Sequence, residues 1–522
     1  MSPFYQSMTP YYLNLFRGNL FKLALGVFFV LCAESLAAGR PNILFAISDD
    51  QSWMHVGAYG DRGIKTPAFD RVAKEGVRFD YAYCAAPSCA PSRAAILTGR
   101  HIWQIEEGGI LFGILKPAVF PVFTHQLKGA GYQLAATGKT YGPGRIEDGT
   151  HKDVFGEAFN GIKLKERTPG LSRVDYAANF SRFLETRDRT EPFFFWYGAS
   201  EPHQSYDVGG WKRAGKRLED VRLPECLPDD PVTRGEILDY GLEVEHFDRH
   251  LGRMLSALEE AGELENTLIV VTSDHGNPLP RSKCNLYDSG TRVPFAVRLP
   301  EQVPGGRVIS DFINLVDVGP TLLDFAGVTI PASVSGRSLM PLLRSNQQGR
   351  VDLTRSSVVT GFERHIICRR DGVGYPMRSL RTHAWSYIRN YEPDRWPAGD
   401  PDFNSSHQGF YGDVDRGASK DYMLANAMNP KVRPFFLRAF GRRPAEELYE
   451  MEADPGQLIN LASGPEYQPI LSELREQLDS FLEKQHDPRR LGIEAWDTYP
   501  FSDQSIFKNS NWRTEGFASP LP

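Results

Sequence analysis

Residues 83–100 read Tyr-Cys-Ala-Ala-Pro-Ser-Cys-Ala-Pro-Ser-Arg-Ala-Ala-Ile-Leu-Thr-Gly-Arg, and no other passage of the chain carries as much information. Cys89, Pro91 and Arg93 form a Cys-x-Pro-x-Arg signature, with a helical pattern from about Ser92 and a Leu-Thr-Gly exit. By itself, a cysteine in a proline-punctuated turn reads equally well as a disulfide partner or a free surface thiol. A helix starting here would aim its backbone N–H groups and positive dipole end at the loop, which suits an anion. Arg93 falls in its first turn, where a cation is unfavourable to the dipole; it is either simply exposed or held there for a role at the cysteine.

Four other passages repeat one pattern, a strand running into polar residues. Asn42-Ile43-Leu44-Phe45-Ala46-Ile47-Ser48 ends in Asp49-Asp50. The continuous apolar run predicts a central parallel strand, and open α/β sheets bind ligands at the carboxyl ends of such strands. Adjacent aspartates in a loop more often mark a turn or helix cap, but two neighbouring carboxylates repel and a hard divalent cation relieves that repulsion. Tyr132 to Ala136 leads into Gly138-Lys139-Thr140-Tyr141-Gly142-Pro143-Gly144, which lacks the phosphate-loop frame. Phe193 to Gly198 leads to Glu201-Pro202-His203, and Leu268 to Ser273 to Asp274-His275-Gly276. Between them, Ile237, Tyr240, Val244, Phe247, Leu251, Leu255 and Leu258 step by three and four, predicting a long helix over Glu236–Gly262 whose apolar stripe is core. Shorter helices are expected at Thr66–Glu75, His125–Gly129 and Asp311–Leu323, and Val358-Val359-Thr360 is expected as the last strand of the large sheet.

The 83–100 string resembles the signature of the type I, formylglycine-dependent sulfatases, and the motifs around Gly138-Lys139-Thr140-Tyr141 loosely resemble the heparan N-sulfatase-like branch. The resemblance implies an alkaline-phosphatase-like α/β fold: a large mixed sheet sandwiched by helices, with a smaller C-terminal α+β subdomain. It implies that a maturation enzyme oxidises Cys89 to formylglycine, whose hydrate carries the hydrolysis. Asp49, Asp50, residue 89, Asp274 and His275 would surround one calcium ion, with magnesium as the alternative. An imidazole is a less usual calcium ligand than an oxygen. Arg93 would orient the formylglycine, Lys139 and Lys283 would touch the sulfate, and His203 would contact it and donate a proton. The family carries Gly-Lys-x-His where this chain has Gly138-Lys139-Thr140-Tyr141, so Tyr141 stands at the histidine position, as a substrate-contact candidate. The expected substrate is a sulfated oligo- or polysaccharide, with Arg395 and Trp396, near Tyr391, as sugar contacts. A phosphate or phosphonate ester hydrolase of the same superfamily and a non-catalytic glycan-binding descendant are the alternatives.

The chain has 522 residues, above the ~250–300 at which one core stops growing. The expected division is a signal segment at 1–38, a catalytic domain at 39–375 and a C-terminal subdomain at 376–522, with a small antiparallel sheet and a helix bearing Leu471, Leu474, Leu478 and Leu482. Arg17 and Lys22 before the apolar run Leu23–Ala33, then Ser35-Leu36-Ala37-Ala38-Gly39, form a secretory pattern too short to span a membrane, so export is expected. A net charge of −6 argues against a nucleic-acid partner. Beyond the signal, Cys84, Cys89, Cys226, Cys284 and Cys368 show no disulfide or zinc spacing, and buried thiols, or one pair at most, are expected.

Overall fold

The computed structural model describes residues 40–147, 149–512 and 521; the expected signal segment, 1–38, lies outside the described residues. Among them, no helix is long and apolar enough to cross a membrane.

Eight strands build the large sheet: β1 (Asn42–Ser48), β2 (Val77–Tyr83), β3 (Gln133–Gly138), β4 (Glu157–Ala158), β5 (Phe193–Gly198), β6 (Thr267–Ser273), β7 (Phe295–Arg298) and β8 (Arg307–Asn314). Their spatial order is β8-β2-β7-β6-β1-β5-β3-β4. Only β7 pairs antiparallel, with β2 and β6; the remaining pairings are parallel. Every residue of β1, β5 and β6 is buried, because both faces are covered. Ile43, Phe45, Ile47, Phe194 and Trp196 face a core that includes Phe123, Leu127 and Leu322. Leu44, Ala46, Phe193, Phe195 and Tyr197 face helices α1 (Pro67–Glu75), α3 (Tyr176–Thr186) and α4 (Pro231–Glu260) through Phe69, Phe180, Phe247 and Leu251. Between α1 and α3 in sequence lies α2 (Cys89–Thr98). The Asp230 carboxylate accepts the Val232 N–H, and Pro231 follows it, so α4 starts a turn and a half earlier than the apolar stripe alone predicts.

A second, four-stranded antiparallel sheet follows: β9 (Ser357–Phe362), β10 (Met377–Thr382), β11 (Trp385–Asn390) and β12 (Glu446–Glu450). Helix α5 (Gln468–Lys484) covers it, with Leu471, Leu474, Leu478 and Leu482 against Val359, Leu380, Tyr387 and Leu448. Val358–Thr360 is therefore not the last strand of the large sheet. It pairs with β10, Val359 opposite Leu380; an apolar run announces a strand without naming its partner. The large sheet's edge is taken by β8, in part of the stretch expected to be helical. There Ile309, Phe312 and Ile313 continue the strand, and Asn314 accepts the Val316 N–H to turn the chain, so the helix begins only at Val318.

Glu243 on α4 is 2% exposed, and among the described residues neither carboxylate oxygen has a hydrogen-bond partner. Burial, then the neighbouring Glu201, pushes its pKa up to about 9. A carboxyl that holds its proton more tightly when folded favours folding at low pH and increasingly opposes it as pH rises toward the folded value. Glu243→Gln should therefore raise the unfolding free energy by about 4–5 kcal/mol at pH 8 but by under ~1 kcal/mol at pH 5. An equal change at both pH values, read by chemical denaturation, would contradict this.

Candidate active site

The parallel register brings four strand ends to one edge of the large sheet. Ser48 lies opposite Ser273 and Gly138 opposite Gly198, so Asp49-Asp50, Asp274-His275, Lys139 and the segment to His203 leave side by side. Their backbones interlock: the Asp274 N–H donates to Ser48 O, Asp49 N–H to Glu201 O and Lys139 N–H to Gly198 O, at 3.2, 3.0 and 2.6 Å. The last contact requires glycine, since a Cβ at Gly198 would lie 1.7 Å from the Lys139 carbonyl oxygen. Asp50 adopts φ 73°, a left-handed conformation unfavourable for a side-chain-bearing residue, and its N–H donates to Asp274 Oδ1 at 3.1 Å.

Asp49, Asp50 and Asp274 each present a carboxylate oxygen within 4.8 Å of the others, and so do Asp50, His275 and the Cys89 thiol among themselves. All five residues are at most 1% exposed. Cys89 Sγ lies 3.4 Å from His275 Nε2 and 3.9 Å from Asp50 Oδ1. The cysteine itself opens α2, three residues earlier than the sequence pattern suggests, and the extended Ser88 precedes it. Residue 89 thus sits where a helix N-terminus favours negative charge. Cys84 and Cys89 are both unpaired buried thiols, as are Cys226, Cys284 and Cys368.

Cations hold the acids together. Arg93, wholly buried, donates through Nε to Asp274 Oδ2 at 2.9 Å, through Nη1 to the Lys139 and Thr140 carbonyls, and lies 3.4 Å from Asp49 Oδ1 through Nη2. Lys139 Nζ is 2.6 Å from Asp49 Oδ2, and Lys283 Nζ is 2.9 Å from Asp50 Oδ2. Burial raises the Asp49 and Asp50 carboxyls, but Lys139 and Arg93 at the first and Lys283 at the second outweigh it and hold both below the usual carboxylate range. Asp274 is raised instead, by burial and then by Asp49. His203 keeps about a third of its side chain exposed; Nδ1 lies 2.8 Å from the Gln204 carbonyl and Nε2 is 4.0 Å from Asp50 Oδ2. Three carboxylates and an imidazole converging in so little volume fit a hard divalent cation.

Three expected substrate contacts are not brought here. Tyr141 turns into the apolar core and its hydroxyl donates to the Gly113 carbonyl at 3.3 Å, so it does not occupy a histidine's position facing the acids. A histidine does stand beside this loop, from elsewhere in the chain: His151 Nδ1 is 2.7 Å from Thr140 Oγ1. Arg395 and Trp396 line a separate cleft of about 600 Å³ that shares no lining residue with the acid cluster. There Arg395 pairs with Asp497 at 2.9 Å and the Arg442 guanidinium lies 4.4 Å from the Trp396 ring; Tyr391 does not line it. Conversely, the sequence reading missed Asp415 and His365. Asp415 Oδ2 lies 3.0 Å from Lys283 Nζ, clamping the lysine between two carboxylates, and its Oδ1 accepts from Gln408. His365 Nδ1 meets Ser88 Oγ at 2.9 Å. Neither residue ends a strand of the large sheet.

Sheet, strand-end acids and covering helices form an alkaline-phosphatase-like fold. A profile of the sulfatase family matches residues 41–328, more than half of the chain, and one described as N-sulphoglucosamine sulphohydrolase, C-terminal, matches 281–396. The chain belongs to the sulfatase family, and its activity is that of a sulfuric ester hydrolase. It is 28% identical to the N-sulphoglucosamine sulphohydrolase of Homo sapiens, over 88% of this chain and 93% of that one. With an ulvan-active sulfatase of Formosa agariphila it shares 27% identity over 85% and 75% of the two chains. Among solved structures, a protein in complex with its substrate D-glucosamine-2-N,6-O-disulfate superposes with a TM-score of 0.58 at 21% identity, covering 86% of this chain and 98% of the other. The phosphonate monoester hydrolase of Agrobacterium radiobacter gives 0.60 at 19%, covering 85% and 96%. These two likenesses show a shared fold.

Removing one member of a buried ion cluster leaves the others uncompensated. Arg93→Met should cost about 3–5 kcal/mol of stability, whereas His203→Ala, at a partly exposed position, should cost under ~1 kcal/mol. Denaturant titration distinguishes the two, and a similar small loss for both would contradict the role given to Arg93.

Proposed function

We propose that the protein removes sulfate from a sulfated carbohydrate, using a formylglycine made from Cys89 and one divalent cation, calcium or magnesium. One observation carries the reading: three carboxylates and the cations Arg93, Lys139 and Lys283 close around a buried thiol at the head of α2. The carbohydrate is supported by relatives named for ulvan, N-sulphoglucosamine and N-acetylglucosamine-6-O-sulfate chemistry. The secretory pattern at the N-terminus supports export, and a formylglycine-generating enzyme is the partner that maturation needs. The chemistry is assigned to residues 39–375, completed by Asp415 from the 376–522 portion.

Asp49, Asp50, Asp274 and His275 would hold the cation, which supplies Lewis-acid polarisation of the sulfuryl oxygens, while the aldehyde hydrate at position 89 supplies the nucleophile. The chain's own residues do the rest. Arg93 fixes Asp49 and Asp274 relative to α2. Lys139 and Lys283 bring positive charge to oxygens on which negative charge grows in the transition state, where preorganised electrostatics is the largest contribution. With its Nδ1–H donated to the Gln204 carbonyl, His203 turns Nε2 toward Asp50, and in its imidazolium form it gives the Nε2 proton to the departing oxygen or nitrogen. Burial keeps bulk water from competing.

Protein produced with a formylglycine-generating partner should show an aldehyde at position 89 in peptide mass spectra. It should release sulfate from members of a sulfated-saccharide panel, with higher kcat/KM than on an aryl sulfate or aryl phosphate. Chelation should abolish turnover, and calcium or magnesium should restore it. Cys89→Ser should fold normally and lose about a thousandfold or more in kcat. An unmodified thiol in fully active enzyme would overturn the reading, and faster phosphate release would move it to the phosphoesterase alternative.

A further inference from the structure

The segments that carry His203 and Asp415 do not end at the acid cluster. His203 Nε2 and an oxygen of Asp415 lie with Asp50 inside a 4.8 Å group. One residue further along each segment, at Gln204 and Arg416, begins a cleft of about 640 Å³, within the range of small-molecule sites. The two walls touch where Gly417 meets Gln204: a Cβ there would lie 2.8 Å from Gln204 Nε2 and 2.1 Å from Glu236 Oε1. The cleft itself shares no lining residue with the acid cluster and begins at the residues that directly follow His203 and Asp415; Trp211 and Arg416 are among its lining.

Both walls are anchored to α4. Asp239 accepts the Gly209 and Trp211 N–H groups, each at 2.8 Å, and Glu236 accepts those of Ala418 and Ser419 at 3.0 and 2.7 Å. The lining thus sets Lys212 and Arg416, both exposed, beside the exposed Asp421 and the two acids whose oxygens the backbone engages, Glu236 and Asp239. The half-buried Trp211 packs its indole edge against Gly235, with Lys212 Nζ 5.3 Å from the ring centroid. Val208 and Val232, 81% and 42% exposed, add apolar surface on the same cleft. An aromatic ring beside apolar methyls and two exposed cations, of which Arg416 also donates from Nη2 to the Ser406 carbonyl at 3.2 Å, is the surface a sugar bearing an acidic substituent would meet: stacking for the ring, charge-assisted hydrogen bonds for the carboxylate or sulfate.

We propose that this cleft binds the part of an acidic saccharide that continues from the leaving atom of the scissile sulfate, its ring on Trp211 and its anionic substituent on Lys212 and Arg416. The inference rests on the sulfatase reading and adds the chain length and charge of the substrate. It assigns the extended substrate to this cleft rather than to the one at Trp396.

The test uses matured full-length enzyme and compares a sulfated monosaccharide with a sulfated, uronate-containing tetrasaccharide. Wild type should prefer the tetrasaccharide, mainly through a lower KM. Trp211→Ala and the double variant Lys212→Ala/Arg416→Ala should each shrink that preference by about tenfold; the latter alters exposed side chains only, so a folding defect in the former does not spoil the test. Carboxyl-reduced tetrasaccharide and tetrasaccharide lacking the second sulfate distinguish the two anion sources: the substrate that loses its preference on wild type identifies the group bound. If wild type releases no sulfate from either saccharide, the sulfatase reading fails. If it releases sulfate and both variants keep the wild-type preference, the cleft assignment alone is overturned.

Discussion

Three carboxylates that repel one another are packed, almost without solvent, at one edge of a parallel sheet. Asp49, Asp50 and Asp274 sit there because β1 and β6 run in register and end together. Unpaired, such acids would each cost several kcal/mol to bury. Much of the surrounding architecture answers that cost. Arg93 crosses beneath two of the acids while binding two carbonyls of the neighbouring loop, Lys139 and Lys283 cover the outer oxygens, and His275 turns its Nε2 to Asp50. The same groups that make the acids tolerable surround the thiol with positive charge, so stability and chemistry share one set of interactions.

The C-terminal portion takes part in that balance. Asp415 holds Lys283 from the side opposite Asp50, and His365, just past β9, fixes the hydroxyl of Ser88 beside the cysteine. The large sheet builds the acid cluster, but the chain beyond β8 sets the positions of a lysine in direct contact with it and of the serine that precedes Cys89.

What the sequence made legible follows from this arrangement. A strand covered on both faces is a continuous apolar run, and polar residues at its end stand out, so Asp49, Asp50, Lys139, His203, Asp274 and His275 were visible as candidates, while the roles expected of them came from the family resemblance. Asp415 and His365 come from irregular segments whose approach depends on long-range packing, and no local pattern announces that. Tyr141 is placed elsewhere than expected because spacing from Lys139 fixes a position along the chain and not the direction of a side chain; here the loop turns the ring inward, onto the Gly113 carbonyl. Arg395 and Trp396 have the composition of a sugar contact, but composition does not locate a cleft, and the one adjoining His203 and Asp415 is lined from quite different stretches of sequence. Val358–Thr360 was legible as a strand and illegible as to sheet for the same reason.

Cys89 is 1% exposed, shielded by α2, by the acids in front of it and by Ser88 with its His365 partner. No protein-sized catalyst can reach that sulfur in the finished fold. Any enzyme that alters it must therefore meet the chain while residues 83–100 are still extended, and the opportunity closes once β1 and β6 have paired and the helix has docked. On the maturation proposed for Cys89, folding speed would compete with modification: a variant that collapses faster around α2 would keep more thiol and gain less aldehyde, folded and inert.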